Sequence, residues 1–132
     1  INLLADLRSE HGLAYLFISH DLRLIRHLAD RVAVMYLGRV VEIAPADKLF
    51  SNPRHPYTRW LIDSIPTIHG TAEPRRPTLA IAEGSEPPSP FAPPPGCAFH
   101  PRCPICRAEC KSVEPELIRV AENHLAACPY SS

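Results

Sequence analysis

This chain lacks any run of apolar residues near the roughly 20 that a membrane-spanning helix requires. Its longest unbroken stretch, VAVMYLG beginning at Val32, falls far short. There is no basic segment followed by an apolar one of the kind that directs secretion. Nothing in these residues is therefore expected to enter a bilayer unaided. An excess of either charge is also missing: 14 basic residues balance 14 acidic ones, which removes the electrostatic footprint of a nucleic-acid or anionic-membrane binder. Glycine is scarce. The five glycines, at 12, 38, 70, 84 and 96, include no pair spaced five apart and followed by Lys, so the chain has no phosphate-cradling P-loop and is not expected to hold a triphosphate alone. Five cysteines is an odd number, and a fully paired disulfide scaffold would leave one thiol over.

What is present is unevenly spread. Eight of the 16 prolines fall between Pro87 and Pro104, dividing the chain into a folded part (1–66), a Pro-rich linker (67–96) that favours polyproline II, and a cysteine-bearing tail (97–132). In the first part, INLLADLRSEHG has leucines at helical spacing and stops at Gly12, which predicts a helix. The pattern begins without a cap, as expected of a piece of a longer chain. LAYLFIS predicts a strand buried on both faces, ending at His20. HDLRLIRHLAD reads as a helix entered through an Asp, and RVAVMYLGRVVEIA as a hairpin about Gly38 and Arg39. PADKLFSNP and HPYTRWLIDSIP each read as a helix behind a Pro start. In the last of these, His55, Tyr57 and Arg59 crowd together, and the spacing points to a packing helix rather than a site.

The tail gathers four cysteines in fourteen positions, CAFHPRCPICRAEC, with Cys128 following later. Thiolates suit zinc and iron–sulfur clusters alike, and four can satisfy either. Cys103 and Cys106 form one C-x2-C knuckle of the kind zinc modules use, but no second pair exists. The same knuckle could act as a reactive dithiol, although this proline-flanked tail shows no βαβ context for it. His100 and His124 are read as supporting or surface residues.

FISHDL, the hairpin after it, NPRHPYTRWLIDSIP and the cysteine tail together resemble the C-terminal portion of the ATP-binding subunits of dipeptide and oligopeptide ABC transporters, nearly end to end. The resemblance implies an α/β fold, the C-terminal part of an ABC-type P-loop ATPase domain followed by the linker and a small Cys-rich metal-binding tail. It implies that His20 is the catalytic switch histidine approaching the γ-phosphate of ATP·Mg in the complete subunit. The Walker A, signature and Walker B motifs are absent from this stretch, so the isolated piece is expected to be inactive. The resemblance further implies that Cys97, Cys103, Cys110 and Cys128 bind a four-iron four-sulfur cluster, with Cys106 left over and zinc as the alternative metal.

The implied partners are a second ATP-binding subunit, inner-membrane permease subunits and, indirectly, an extracytoplasmic peptide-binding protein. The implied location is the cytoplasmic face of the membrane. The cluster is expected to hold the tail together, because a small segment with little core gains its fold from metal binding. On that view the tail and the first 66 residues need not fold together. The rival reading is a stand-alone four-cysteine metal-binding interaction module without ATPase parentage.

Overall fold

The computed structural model describes residues 2–65 and 88–131. Most of the Pro-rich stretch expected as a linker, residues 67–87, lies outside them.

The first helix, α1 (Asn2–His11), ends where Gly12 takes a φ of +63°, the left-handed cap its sequence predicts. Helix α2 (Leu22–Leu28) begins at Asp21, whose carboxylate accepts the N–H groups of Arg23 (3.0 Å) and Leu24 (3.3 Å). The hairpin follows: β1 (Arg31–Tyr36) and β2 (Arg39–Pro45) pair antiparallel across Leu37 and Gly38. Both turn residues have positive φ, +46° and +78°, which matches the twist of a tight two-residue hairpin turn. Helices α3 (Ala46–Ser51) and α4 (Pro56–Asp63) come next, the latter with Pro56 at its first position and His55 as its cap.

Two further strands lie in the tail, β3 (Ile118–Ala121) and β4 (His124–Ala126), and they join the same sheet in the order β1-β2-β4-β3. The tail thus contributes two strands to the sheet of the first part. Glu42 of β2 pairs with Ala126 of β4, and Ile43 with Leu125. Between the linker and these strands the chain makes two short 3-10 turns, His100–Arg102 and Ala108–Lys111.

Strand β1 alternates exposed and buried residues, turning Val32, Val34 and Tyr36 inward. Register places Val32 opposite Ala44 and Val34 opposite Glu42, so these four side chains share one face of the sheet. The core is completed by Ile25 of α2, by Ala46 and Leu49 of α3, and by Ala98 and Phe99 of the tail. Phe99 is 1% exposed. Its ring stands edge-on to Tyr36 (centroids 5.3 Å) and lies 5.5 Å from Tyr57, so a tail residue plugs the core of the first part.

One expected element is not formed. LAYLFIS is extended without being a strand, and Leu13, Tyr15, Leu16 and Ile18 are exposed, Leu16 and Ile18 above 90%. A strand buried on both faces needs ladder partners on either side, and the sheet of the described residues is complete without it. Only Phe17 packs against the core.

Candidate functional site

His20 sits in the turn between the 13–19 segment and α2, with its side chain exposed. The turn is held from both sides: the Asp21 N–H donates to Ser19 Oγ (3.0 Å), and the Asp21 carboxylate caps α2. His20, Asp21 and Arg23 line one wall of an open cleft of about 400 Å3, and Leu61, Ser64 and Ile65 from the end of α4 line the other. The imidazole is therefore free to meet a ligand, and α4 is its nearest structural neighbour across the cleft.

The cysteines form a second centre. Gly96, with φ +71°, lets the chain pass so close to the second 3-10 turn that a Cβ there would lie 2.5 Å from the carbonyl oxygen of Cys110. The Cys97 N–H donates to that oxygen at 2.9 Å. Cys97 lies within electrostatic reach of Cys103, Cys110 and Cys128, and Cys128 within reach of Cys103 and Cys110. Backbone N–H groups point at their sulfurs. Cys97 accepts from Phe99 and His100, Cys103 from Ile105, Cys128 from Tyr130 and Ser131, and Cys110 from Arg107 at 3.5 Å.

Such hydrogen bonds favour the thiolate, the form that binds metals. Burial works against it. Partial enclosure, reinforced by neighbouring thiols, raises the pKa of Cys97 and Cys128 and pushes Cys103 up to about 12. A group of thiols that resists ionising together is one that a cation would relieve. Among the described residues, however, no group of three or more His, Cys, Asp or Glu side chains is arranged to hold a metal ion. The four sulfurs are gathered without closing on a single point.

Cys106 belongs to the same lobe, and its thiol donates to the carbonyl oxygen of Arg107 at 3.5 Å. Its thiol is raised by what burial it has and by Cys110, against the opposing charge of Lys111.

A third set of residues, whose joint role the sequence does not announce, ties the tail to the first part of the chain. Glu42 is fully buried at the centre of the covered sheet face. Its carboxylate accepts the N–H groups of Arg54 and His55, both at 2.8 Å, and Nε2 of His124 lies 2.6 Å from Oε1. His124 is only 3% exposed, so it is neither a surface residue nor a cysteine-supporting one. His55 is more enclosed still, at 1% exposed, and its Nδ1 accepts the Tyr57 N–H at 3.1 Å. Desolvation lowers its pKa to about 4 despite the opposing pull of Glu42, so the ring stays neutral and keeps its acceptor. Sequence carried a signal for this set: a lone Glu inside the apolar run VVEIA, which a buried strand tolerates only with partners.

Residues 41–110 match the family described as the oligopeptide/dipeptide transporter, C-terminal region, and so take in most of β2, helices α3 and α4 and the first four cysteines. The chain belongs to this family. Among curated proteins, a probable peptide ABC transporter ATP-binding protein of Sinorhizobium fredii is 48% identical over 97% of the chain and 35% of its own length. A di/tripeptide transport ATP-binding protein of Pseudomonas aeruginosa is 48% identical over 99% of the chain and 39% of its own length. An oligopeptide transport ATP-binding protein of Bacillus subtilis is 44% identical over 97% and 38%.

The chain thus spans between a third and two-fifths of the length of these relatives. Its α/β architecture with an antiparallel sheet fits the C-terminal part of an ABC ATPase. Among the described residues no helix is long and apolar enough to cross a membrane.

Proposed function

We propose that this member of the oligopeptide/dipeptide transporter family works as the C-terminal part of the ATP-binding subunit of a peptide importer. Identity of 44–48% to peptide-transport ATP-binding proteins, sustained across nearly the whole chain, is the observation that carries this reading. In the complete subunit, ATP with Mg supplies the energy of hydrolysis. His20 meets the γ-phosphate from its exposed turn, offering a hydrogen bond and partial positive charge where negative charge develops. Asp21 fixes the turn that presents it. The apolar residues Leu13, Leu16 and Ile18 pack against further strands of the subunit, which would make 13–19 the buried strand its composition describes.

The partners in this reading are a second ATP-binding subunit and the permease, at the cytoplasmic membrane face, with a peptide-binding protein on the other side. Replacing His20 with Ala in the complete subunit is expected to lower ATP turnover by about 10² or more, the scale of losing one positioned transition-state contact. Unchanged hydrolysis and transport would reduce His20 to a structural turn residue.

The same reading gives Cys97, Cys103, Cys110 and Cys128 to a four-iron four-sulfur cluster. Support comes from the backbone N–H groups aimed at the four sulfurs, a feature that tunes cluster thiolates. Zinc, held by the same four sulfurs, is the alternative metal. When bound, the cluster would supply a covalent tie between the two 3-10 turns and the C-terminal residues. The rival stand-alone module is disfavoured because the similarity and the sheet both run through the first part and the tail together.

A further inference from the structure

Cys106 is the one thiol that the proposed cluster leaves unused, and its surroundings give it a partner. The Cys106 Sγ donates to the carbonyl oxygen of Arg107 at 3.5 Å, while the N–H of the same Arg107 donates to Cys110 Sγ at 3.5 Å. The two sulfurs thus flank a single residue, each hydrogen-bonded to its backbone. C-x2-C spacing singles out Cys103 as the rival partner of Cys106. Cys106 is partly exposed, so a small oxidant can reach it.

We propose that Cys106 and Cys110 form a reversible disulfide in the metal-free chain, a redox modification that competes with metal loading at Cys110. With a low-molecular-weight disulfide as oxidant, the Cys106 thiolate attacks one sulfur, forming a mixed disulfide and expelling one thiolate of the oxidant. Cys110 then gives up its proton and attacks Cys106 Sγ, releasing the second half as a thiol. Two protein thiols are oxidised to one disulfide, and the oxidant is reduced to two thiols. The disulfide depends only on the geometry of the two sulfurs. Its consequence for loading rests on the cluster reading above.

The test uses the full chain, reduced and metal-free, treated with oxidised glutathione under anaerobic conditions, alkylated and digested with trypsin. Cuts after Arg102, Arg107 and Lys111 separate residues 103–107 from 108–111, so the bond appears as these two peptides joined with the loss of two hydrogens. The link is expected to persist in Cys103→Ser, to vanish in Cys106→Ser and Cys110→Ser, and to reverse with dithiothreitol. A bond internal to residues 103–107, a link lost in Cys103→Ser, or stable glutathione adducts without a link would overturn the proposal.

Iron and sulfide loading is read separately. The oxidised wild-type chain should load several-fold less than Cys106→Ser treated identically, and equal loading would overturn the competition. Failure of both untreated proteins to bind iron and sulfide would instead count against the cluster, while leaving the mapped disulfide standing.

Discussion

Glu42 and His124, 82 positions apart in sequence, are joined at 2.6 Å in the interior, where neither side chain is more than 4% exposed. The pair connects a strand of the ATPase-like half to a strand of the cysteine-bearing tail, and two backbone N–H groups from the loop before α4 complete the carboxylate's hydrogen bonds.

Removing one partner leaves the other's polar group buried without its hydrogen bond, which typically costs about 1–3 kcal/mol. Glu42→Gln and His124→Ala are each expected to lower the denaturant midpoint sharply, with little dependence on salt because the pair is shielded from it. The double variant should lose less than the sum of the singles. Additive losses would show that the two side chains do not act as a pair.

Phe99 is the apolar counterpart of that link. Truncation to Ala removes the ring seated against Tyr36 and Tyr57 and should cost about 3–5 kcal/mol. Hydrogen exchange should then rise in both β4 and β2. A rise confined to residues 97–131 would mean that the tail folds separately after all.

His55 gives stability a pH dependence. Its folded-state pKa of about 4 lies below the ordinary 6.5, so between these values the unfolded chain binds more protons. The contribution is fully present above about pH 6.5 and is lost as pH falls toward 4, on the order of 3 kcal/mol in all. His55→Asn keeps an acceptor for the Tyr57 N–H but does not titrate. Unfolding followed from pH 7 to 4 should show a shallower decline in that variant, and parallel curves would contradict the assignment.

Gly96→Ala places a methyl group 2.5 Å from the Cys110 carbonyl oxygen, with backbone atoms of Lys111 and Ser112 at 2.8 Å. Backbone cannot yield as a flexible side chain would, and φ +71° is unfavourable for Ala as well. The expected result is a loosened contact between Cys97 and Cys110, seen as faster amide exchange at Cys97 and increased alkylation of both thiols. Unchanged reactivity would mean that the approach is not needed to gather them.

The local elements were legible because each carries its own signals. Asp21 and Pro56 mark helix starts, Gly12 a helix end, and the β-branched runs around Gly38 a hairpin. The two tail strands were not. IRVAENHLAA is short and mixed, and its strands exist because β2 offers an edge to pair with, a long-range fact that no local pattern encodes. The error at residues 13–19 has the same root, since composition describes a buried strand while burial depends on neighbours. His20 and the cysteines could be named from motifs, whereas Glu42, His55 and His124 acquire their roles only when residues far apart in sequence meet.

The most direct test of the account is the iron and acid-labile sulfide content of anaerobically prepared protein, measured for wild type and for each of the five Cys→Ser variants. The account predicts iron and sulfide in equal amounts in wild type, near-normal content in Cys106→Ser, and severe loss in Cys97→Ser, Cys103→Ser, Cys110→Ser and Cys128→Ser. Stoichiometric zinc without sulfide, or a site emptied by Cys106→Ser while one of the other four cysteines proves dispensable, would contradict it.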